Sequence, residues 1–260
     1  MKHYGLIGEK LGHSLSVPIH RIMFRELGLD ADYTLIEVPK DGFEDSVRRL
    51  FEQYDGLNVT IPYKKDVIPL LDSLNPLAQE VGAVNTIRTG TPLQGFNTDV
   101  QGFSDMLRRA GISAAGKPCF ILGTGGASLA VRTALSHMGA SSITFVSRHP
   151  TGDQIGYEAL PECFSGLLVN CTPAGMFPHP EGCPVPQDIL ETILPRASGV
   201  ADLIYNPPET LLTKAAARIG IPWCTGLSML VAQAVEAESI WQGYALSDSL
   251  TDIILKELVL

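Results

Sequence analysis

Short runs of apolar and β-branched residues alternate with longer stretches in which apolar positions recur every three or four residues. YGLIG (4–8) precedes such a stretch from Pro18 to Gly28, YTLIEV (33–38) precedes one from Gly42 to Gln53, and GLNVT (56–60) follows. Alternation in twos marks strands and a period near 3.6 marks helices. Strands separated by helices of this length build βαβ units with a mostly parallel sheet, so the first half is of the α/β class.

From Asp99 the chain reads DVQGFSDMLRRAG, which places Val100, Phe103, Met106 and Leu107 on one helical side and offers Gly111 as a C-cap. A polar break, SAAGK (113–117), follows, and on pattern alone a domain boundary falls there. From Lys117 the alternation restarts with PCFILG, a helix from Ala127 to Met138, then SSITFVS, GLLVNCT, GVADLIY and IPWC. The stretch from Leu227 to Leu260 reads as two apolar helices with Trp241 between them.

Composition narrows the partners. A net charge of −9 and a pI near 5.1 disfavour a nucleic-acid partner. Hydrophobic residues make up 45% and charged residues 18%, as in a fully folded chain. No apolar run approaches the roughly 18 residues of a membrane span, and MKHYGLIG lacks a signal-peptide core; a soluble, cytoplasmic protein is expected. Five cysteines, scattered without a CxxC pair, suggest reduced thiols, most of them small buried residues.

The segment CFILGTGGASLAVRTALSHMG carries the clearest chemical signal. A strand ends at Gly123, Gly125 and Gly126 permit a tight turn with close backbone approach, and a helix starts at once with free N–H groups suited to a phosphate. Ser128 takes the place of the third glycine. Such a cluster also occurs as a plain turn; strand before and helix after favour a dinucleotide. The next strand ends in Ser147 and Arg148, without an acidic residue until Asp153. An acid there would bind the ribose 2′-hydroxyl, whereas a cation accommodates a 2′-phosphate, so NADP is expected over NAD. The other reading of Arg148 is a solvated loop arginine.

Four stations in the first half join strand ends to small polar residues: HSLSVPIH (13–20), NVTIPYK (58–64), GAVNT (82–86) and GFNTD (95–99). Ligands of open α/β sheets bind outside the carboxyl ends of strands. Ser, Thr and Asn exchange hydrogen bonds with hydroxyls and carboxylates, and a lysine beside a carboxylate can move a proton, which makes Lys64 and Asp99 a candidate pair. Each station also has a structural reading: Ser14 or Ser16 as a helix cap, Asn58 and Thr60 serving loop backbone, Asp99 as an N-cap. In GLNVTIPYKK, Pro62 is expected to open a helix with Lys64 in its first turn. Lys65, about 100° further round, then faces solvent.

The ordered set HSLS, NVTIPYK, GAVNT, GFNTD, GTGGAS, NCTPAGM, DLIYNP and GLSMLVAQA, spanning Gly5 to Trp241, resembles shikimate dehydrogenase. The resemblance implies an N-terminal α/β substrate domain with a mostly parallel sheet (1–100 plus 227–260) and a Rossmann-type doubly wound NADP-binding domain (101–226). It implies reversible NADPH-dependent reduction of 3-dehydroshikimate to shikimate in aromatic amino-acid biosynthesis, by a monomer or homodimer. On it, Ser14 and Ser16 bind the substrate carboxylate, Lys64 is catalytic with Asp99 its partner, and Thr60, Asn85 and Gln233 hold ring hydroxyls, with Tyr205 near the substrate. Gly123, Gly125, Gly126 and Ala127 form the pyrophosphate turn, Ser147 and Arg148 lie at the 2′-phosphate, and Thr172, Gly226 and Met229 lie in motifs at the nicotinamide end. No metal is required. Two departures stand out: Val17 precedes Pro18 where the family has proline directly after the second serine, and a second basic residue near Arg148 is missing. A quinate/shikimate dehydrogenase using NAD and a non-catalytic ligand-binding homologue remain as alternatives.

Overall fold

A computed structural model describes residues 1–12 and 14–258. The chain divides into two compact units, Met1–Asp99 with Val231–Leu260, and Val100–Leu230. The first division falls behind Asp99, the first residue of the helix at Asp99–Arg109, whereas the hydrophobic pattern sets a break behind that helix, at the polar SAAGK segment.

The first unit begins β1 (Lys2–Gly8), α1 (Ser16–Leu27), β2 (Ala31–Glu37), α2 (Phe43–Gln53) and β3 (Gly56–Val59). It continues with β4 (Ser73–Leu74), α3 (Pro76–Val81), β5 (Thr86–Arg88) and β6 (Gln94–Phe96). The sheet order is β2-β1-β3-β5-β6-β4. β1 lies parallel to both β2 and β3, and β4 to β6, while β5 runs antiparallel to β3 and β6. All four residues of β3 are buried, as in a strand covered on both faces. In α1 the buried positions Ile19, His20, Met23 and Phe24 recur at helical spacing. The helix stops where Gly28 takes φ 64° and Leu29 N–H donates to the Phe24 carbonyl at 2.9 Å, a left-handed cap that suits glycine.

No α-helix opens at Pro62. Ile61–Pro62 is a cis peptide, and residues 61–67 form successive turns before a short 3₁₀ segment at Ile68–Leu70. The helical ladder is diverted, because the Lys64 carbonyl accepts from Val84 N–H at 2.8 Å and so serves the neighbouring segment. Tyr63 anchors the turn, donating to the Val38 carbonyl at 2.6 Å and stacking on Phe43.

The second unit continues from α4 (Asp99–Arg109) through β7 (Pro118–Leu122), α5 (Gly126–His137), β8 (Ser142–Val146), α6 (Leu160–Cys163) and β9 (Gly166–Asn170). Then come α7 (Gln187–Ile193), β10 (Ala197–Asp202), α8 (Leu211–Arg218) and β11 (Trp223–Thr225). Its sheet is wholly parallel in the order β11-β10-β9-β7-β8. The connection from β7 goes one way to β8 and the next goes the other way to β9, which makes the end of β7 the switch point of a doubly wound fold. Phe120, Leu122, Val146, Leu168 and Val200 lie in its core.

The last helices are α9 (Leu227–Gln242), which crosses from the second unit to the first, and α10 (Asp248–Leu258). Trp241 lies within α9, not between two helices. It is held there by stacking on Tyr4 at 4.6 Å and by donating Nε1–H to the Ile87 carbonyl at 2.9 Å, contacts that bind the helix end to β1 and β5. The five cysteines are free. Only Cys119 is buried; Cys163 is exposed and the other three are half-buried, so most are less enclosed than their apolar character suggests. Among the described residues no helix is long and apolar enough to cross a membrane, and no His/Cys/Asp/Glu group is arranged to hold a metal.

Candidate active site

In the first unit, the ends of β3 and β6 and the start of α4 bring three of the four sequence stations together, those at 58–64, 82–86 and 95–99. Lys64 Nζ donates to Asp99 Oδ2 at 2.5 Å, with the two side chains 17% and 9% exposed. Such a charge-assisted bond, largely shielded from water, is among the stronger polar contacts a protein makes. Lys65, its neighbour, is exposed. Asp99 is the first residue of α4, where a carboxylate also meets the positive end of the helix dipole. Its backbone N–H donates to Asn97 Oδ1 at 3.1 Å.

Asn85 supports the other carboxylate oxygen. Its Nδ2 donates to Asp99 Oδ1 at 2.9 Å and to Thr98 Oγ1 at 2.9 Å, while its Oδ1 accepts Thr98 N–H at 2.8 Å. Because a backbone N–H can only donate, the amide has one orientation, with its NH₂ toward the carboxylate. Thr98 also donates to Gln233 Oε1 at 3.4 Å, which adds α9 to the group. Behind this layer Asn58 Nδ2 donates to the Asn85 carbonyl at 3.2 Å and to Thr86 Oγ1 at 3.0 Å, and Tyr33 OH donates to Asn58 Oδ1 at 2.7 Å.

Ser14 and Ser16 form a second cluster at the start of α1. Ser14 Oγ donates to Ser16 Oγ at 3.0 Å and accepts Ser16 N–H at 3.2 Å. Neither serine caps the helix; the cap position is Leu15. Thr60 is half-buried at the end of β3, its N–H donating to the Ile7 carbonyl at 2.9 Å. Sequence reasoning selected Lys64, Asp99 and Asn85 and quoted Asn58, Thr86 and Thr98 within stations, but missed Tyr33. Tyr33 had only its place in an apolar strand, and a hydroxyl there gives no pattern signal.

The second unit carries the other predicted residues at the carboxyl ends of its strands. Gly123 has φ 93°, a region that favours glycine, and a Cβ there would lie 2.9 Å from Thr172 Cγ2. Gly125 and Gly126 are exposed, and a Cβ on either would meet nothing within 4 Å. No side chain caps α5; in its first turn Ser128 N–H donates to the Gly125 carbonyl at 3.0 Å. Ala127 follows in the first turn of α5, and Ser128 Oγ donates to the Gly125 carbonyl at 2.6 Å, closing the turn. Ser147 and the exposed Arg148 follow β8 beside this turn, where Gly123 N–H donates to the Val146 carbonyl at 2.9 Å. A helix start without a side-chain cap, behind exposed glycines and with an exposed cation after the adjacent strand, fits a dinucleotide carrying an additional phosphate.

Thr172 is fixed by Asn170, whose Oδ1 accepts its N–H at 2.9 Å and its hydroxyl at 2.7 Å. Asn170 in turn donates to buried Asp202 at 2.9 Å, and Asp202 also accepts from Thr210 at 2.8 Å. Burial raises the Asp202 carboxyl above its ordinary range, against these hydrogen bonds that lower it. Gly226 passes so close to the backbone just behind β10 that a Cβ would lie 2.0 Å from the Leu203 carbonyl oxygen. Met229 is buried, and half-buried Tyr205 has its phenol shifted upward by burial. These residues belong to the second unit, separate from the Lys64 cluster of the first.

A doubly wound sheet with a glycine turn, joined in one chain to an α/β unit bearing a lysine–carboxylate pair among amides and hydroxyls, defines a nucleotide-dependent dehydrogenase. Comparison narrows the class. The family model for the shikimate dehydrogenase substrate binding domain matches residues 6–87. Shikimate dehydrogenase (NADP(+)) of Clostridium beijerinckii is 39% identical over 264 residues, covering 96% of each chain. A chorismate mutase/shikimate 5-dehydrogenase fusion protein from Clostridium acetobutylicum superposes with a TM-score of 0.93 at 38% identity, over 99% of this chain and 97% of that one. Shikimate 5-dehydrogenase from Thermus thermophilus, solved with NADP(H) and shikimate, gives 0.87 at 30% identity over 99% of each. The chain belongs to the shikimate dehydrogenase family.

Proposed function

We propose that this chain is an NADP-dependent shikimate dehydrogenase that reversibly reduces 3-dehydroshikimate to shikimate, serving aromatic amino-acid biosynthesis in the cytoplasm. The observation that carries this reading is the 2.5 Å contact of Lys64 with Asp99, set among Asn85, Thr98 and Gln233. When bound, NADP supplies the hydride acceptor at nicotinamide C4. In shikimate oxidation the hydride leaves C3 and the C3 hydroxyl gives its proton to the Lys64 amine. In the reverse direction the Lys64 ammonium returns a proton to the C3 oxygen. Asp99 holds the lysine through one carboxylate oxygen, and Asn85 holds the other oxygen.

In the same reading Ser14 and Ser16 take the substrate carboxylate, and Thr60, Asn85 and Gln233 take ring hydroxyls. The Gly123–Ala127 turn and the start of α5 hold the pyrophosphate, Ser147 and Arg148 the 2′-phosphate, and Thr172, Gly226 and Met229 the nicotinamide end. The first unit is thus the substrate domain and the second the cofactor domain.

The test is a matrix of shikimate and quinate against NADP and NAD, read as reduced-nucleotide absorbance. Fastest turnover with shikimate and NADP supports the reading. Faster turnover of quinate with NAD replaces it with the quinate activity, and shikimate binding without nucleotide reduction replaces it with a non-catalytic role.

A further inference from the structure

Buried polar chains reveal their proton directions when one member can only donate or only accept. The Asn85 carbonyl oxygen accepts from Asn58, so the Asn58 NH₂ group faces it and the Asn58 Oδ1 faces Tyr33 at 2.7 Å. Tyr33 must therefore donate. Its phenol is buried and is shifted above its ordinary range, first by that burial, which keeps it a protonated donor; Ser16 hydrogen-bonds to the same phenol. With the Tyr33 proton committed to Asn58, the Ser16 hydroxyl is the donor to Tyr33. Ser16 in turn accepts from Ser14 at 3.0 Å. One directed chain thus runs from Ser14 through Ser16, Tyr33 and Asn58 to the Asn85 carbonyl; the Asn85 side chain donates on to Asp99, which accepts from Lys64 on its other oxygen.

We infer that Tyr33 is a positioning residue, linking the serine pair to the orientation of Asn58 and Asn85 and hence to the placement of the Lys64–Asp99 pair. Its ring is fixed by stacking on the His20 imidazole, with centroids 3.9 Å apart and planes 9° from parallel. Without the phenol, Asn58 loses the donor that holds its amide oxygen, and Asn85 loses the firm support behind its backbone. Ser16 also changes: its hydroxyl hydrogen, now spent on Tyr33, becomes available to an anionic group of the substrate. The two consequences oppose each other, weakening turnover while leaving carboxylate binding intact or improved.

The inference rests on the proposed roles of Lys64 and the serines. The experiment compares wild type, Tyr33→Phe, Asn58→Ala, the double variant and Lys64→Ala by steady-state kinetics with shikimate and NADP, with melting temperatures alongside. Tyr33→Phe keeps the ring and its stack. It is expected to lower kcat about three- to tenfold, in keeping with one buried hydrogen bond, without raising KM for shikimate or for NADP. In the Asn58→Ala background the same change is expected to cost no further kcat, because the link is already cut. Unchanged kcat in Tyr33→Phe overturns the inference. So does a KM for shikimate that rises together with a lowered melting temperature, and so does a full further loss in the double variant. If Lys64→Ala itself turns over normally, the proposed function of that residue fails instead.

Discussion

Lys64 and Asp99 meet at 2.5 Å although 35 positions separate them in the chain. Lys64 lies on a turn whose carbonyl is tied to Val84, Asp99 lies on the first residue of a helix, and Asn85 joins the two through the second carboxylate oxygen. Lys64→Ala is expected to lower kcat by about 10²- to 10⁴-fold, the usual worth of a positioned proton-transfer group, while shikimate still binds. Exposed Lys65 is the internal control, and its alanine variant should stay within about twofold of wild type. Steady-state rates and shikimate titration of both variants check this; near-normal turnover of Lys64→Ala removes it from the chemistry.

Arg148 is exposed beside the glycine turn. Losing a hydrogen-bonded charge at a phosphate costs about 1.5–3 kcal/mol, so Arg148→Ala should reduce the ratio of kcat/KM with NADP to that with NAD by about tenfold or more. The activity with NAD should be little changed. An unaltered ratio would show that some other group reads the 2′ position.

Gly56 faces Trp241, and a Cβ there would lie 2.4 Å from the indole Nε1. The indole cannot retreat without losing its bond to Ile87 and its stack on Tyr4. Gly56→Ala should therefore destabilise the protein by about 1–3 kcal/mol. The penalty should shrink in a Trp241→Phe background, since the smaller ring relieves the clash. Equilibrium denaturation of the four proteins measures both effects, and equal penalties in the two backgrounds would contradict the packing argument.

His20 is buried against Tyr33 and 3.7 Å from the buried Glu238 carboxylate. Burial lowers its pKa from the ordinary 6.5, outweighing the upward pull of Glu238. The unfolded chain then binds a proton that the folded chain resists, so this contribution to stability is full above about pH 6.5 and is lost as pH falls toward the depressed folded value. Between pH 7 and 5 the melting temperature of wild type should fall more steeply than that of His20→Gln. Parallel slopes would mean that other groups set the acid sensitivity.

The alternating strand and helix segments were legible because hydrophobic period is a local property, and the glycine turn was legible because phosphate binding needs a local backbone shape. Lys64, Asp99 and Asn85 were legible as polar residues at strand ends. The turn after β3 was not, since Pro62 suits a helix start equally well and the diversion of the Lys64 carbonyl to Val84 is a long-range contact. Trp241 looked like a helix break because its partners, Tyr4 and Ile87, lie more than 150 positions away. Tyr33 was hidden for the same reason: its partner Asn58 lies 25 positions on, and a tyrosine in an apolar strand reads as packing.

The division between the units falls directly after Asp99, so the carboxylate that meets Lys64 is the first residue of a helix whose remaining residues belong to the other unit. Side chains on a helix keep a fixed angular phase, and one inserted residue turns everything before it by about 100° relative to everything after. A single alanine added between Asp99 and Val100 would force a choice between the carboxylate's bond to Lys64 and the burial of Phe103, Met106 and Leu107. At this junction an insertion therefore keeps both the Lys64 bond and the buried face of the helix only if it preserves helical register.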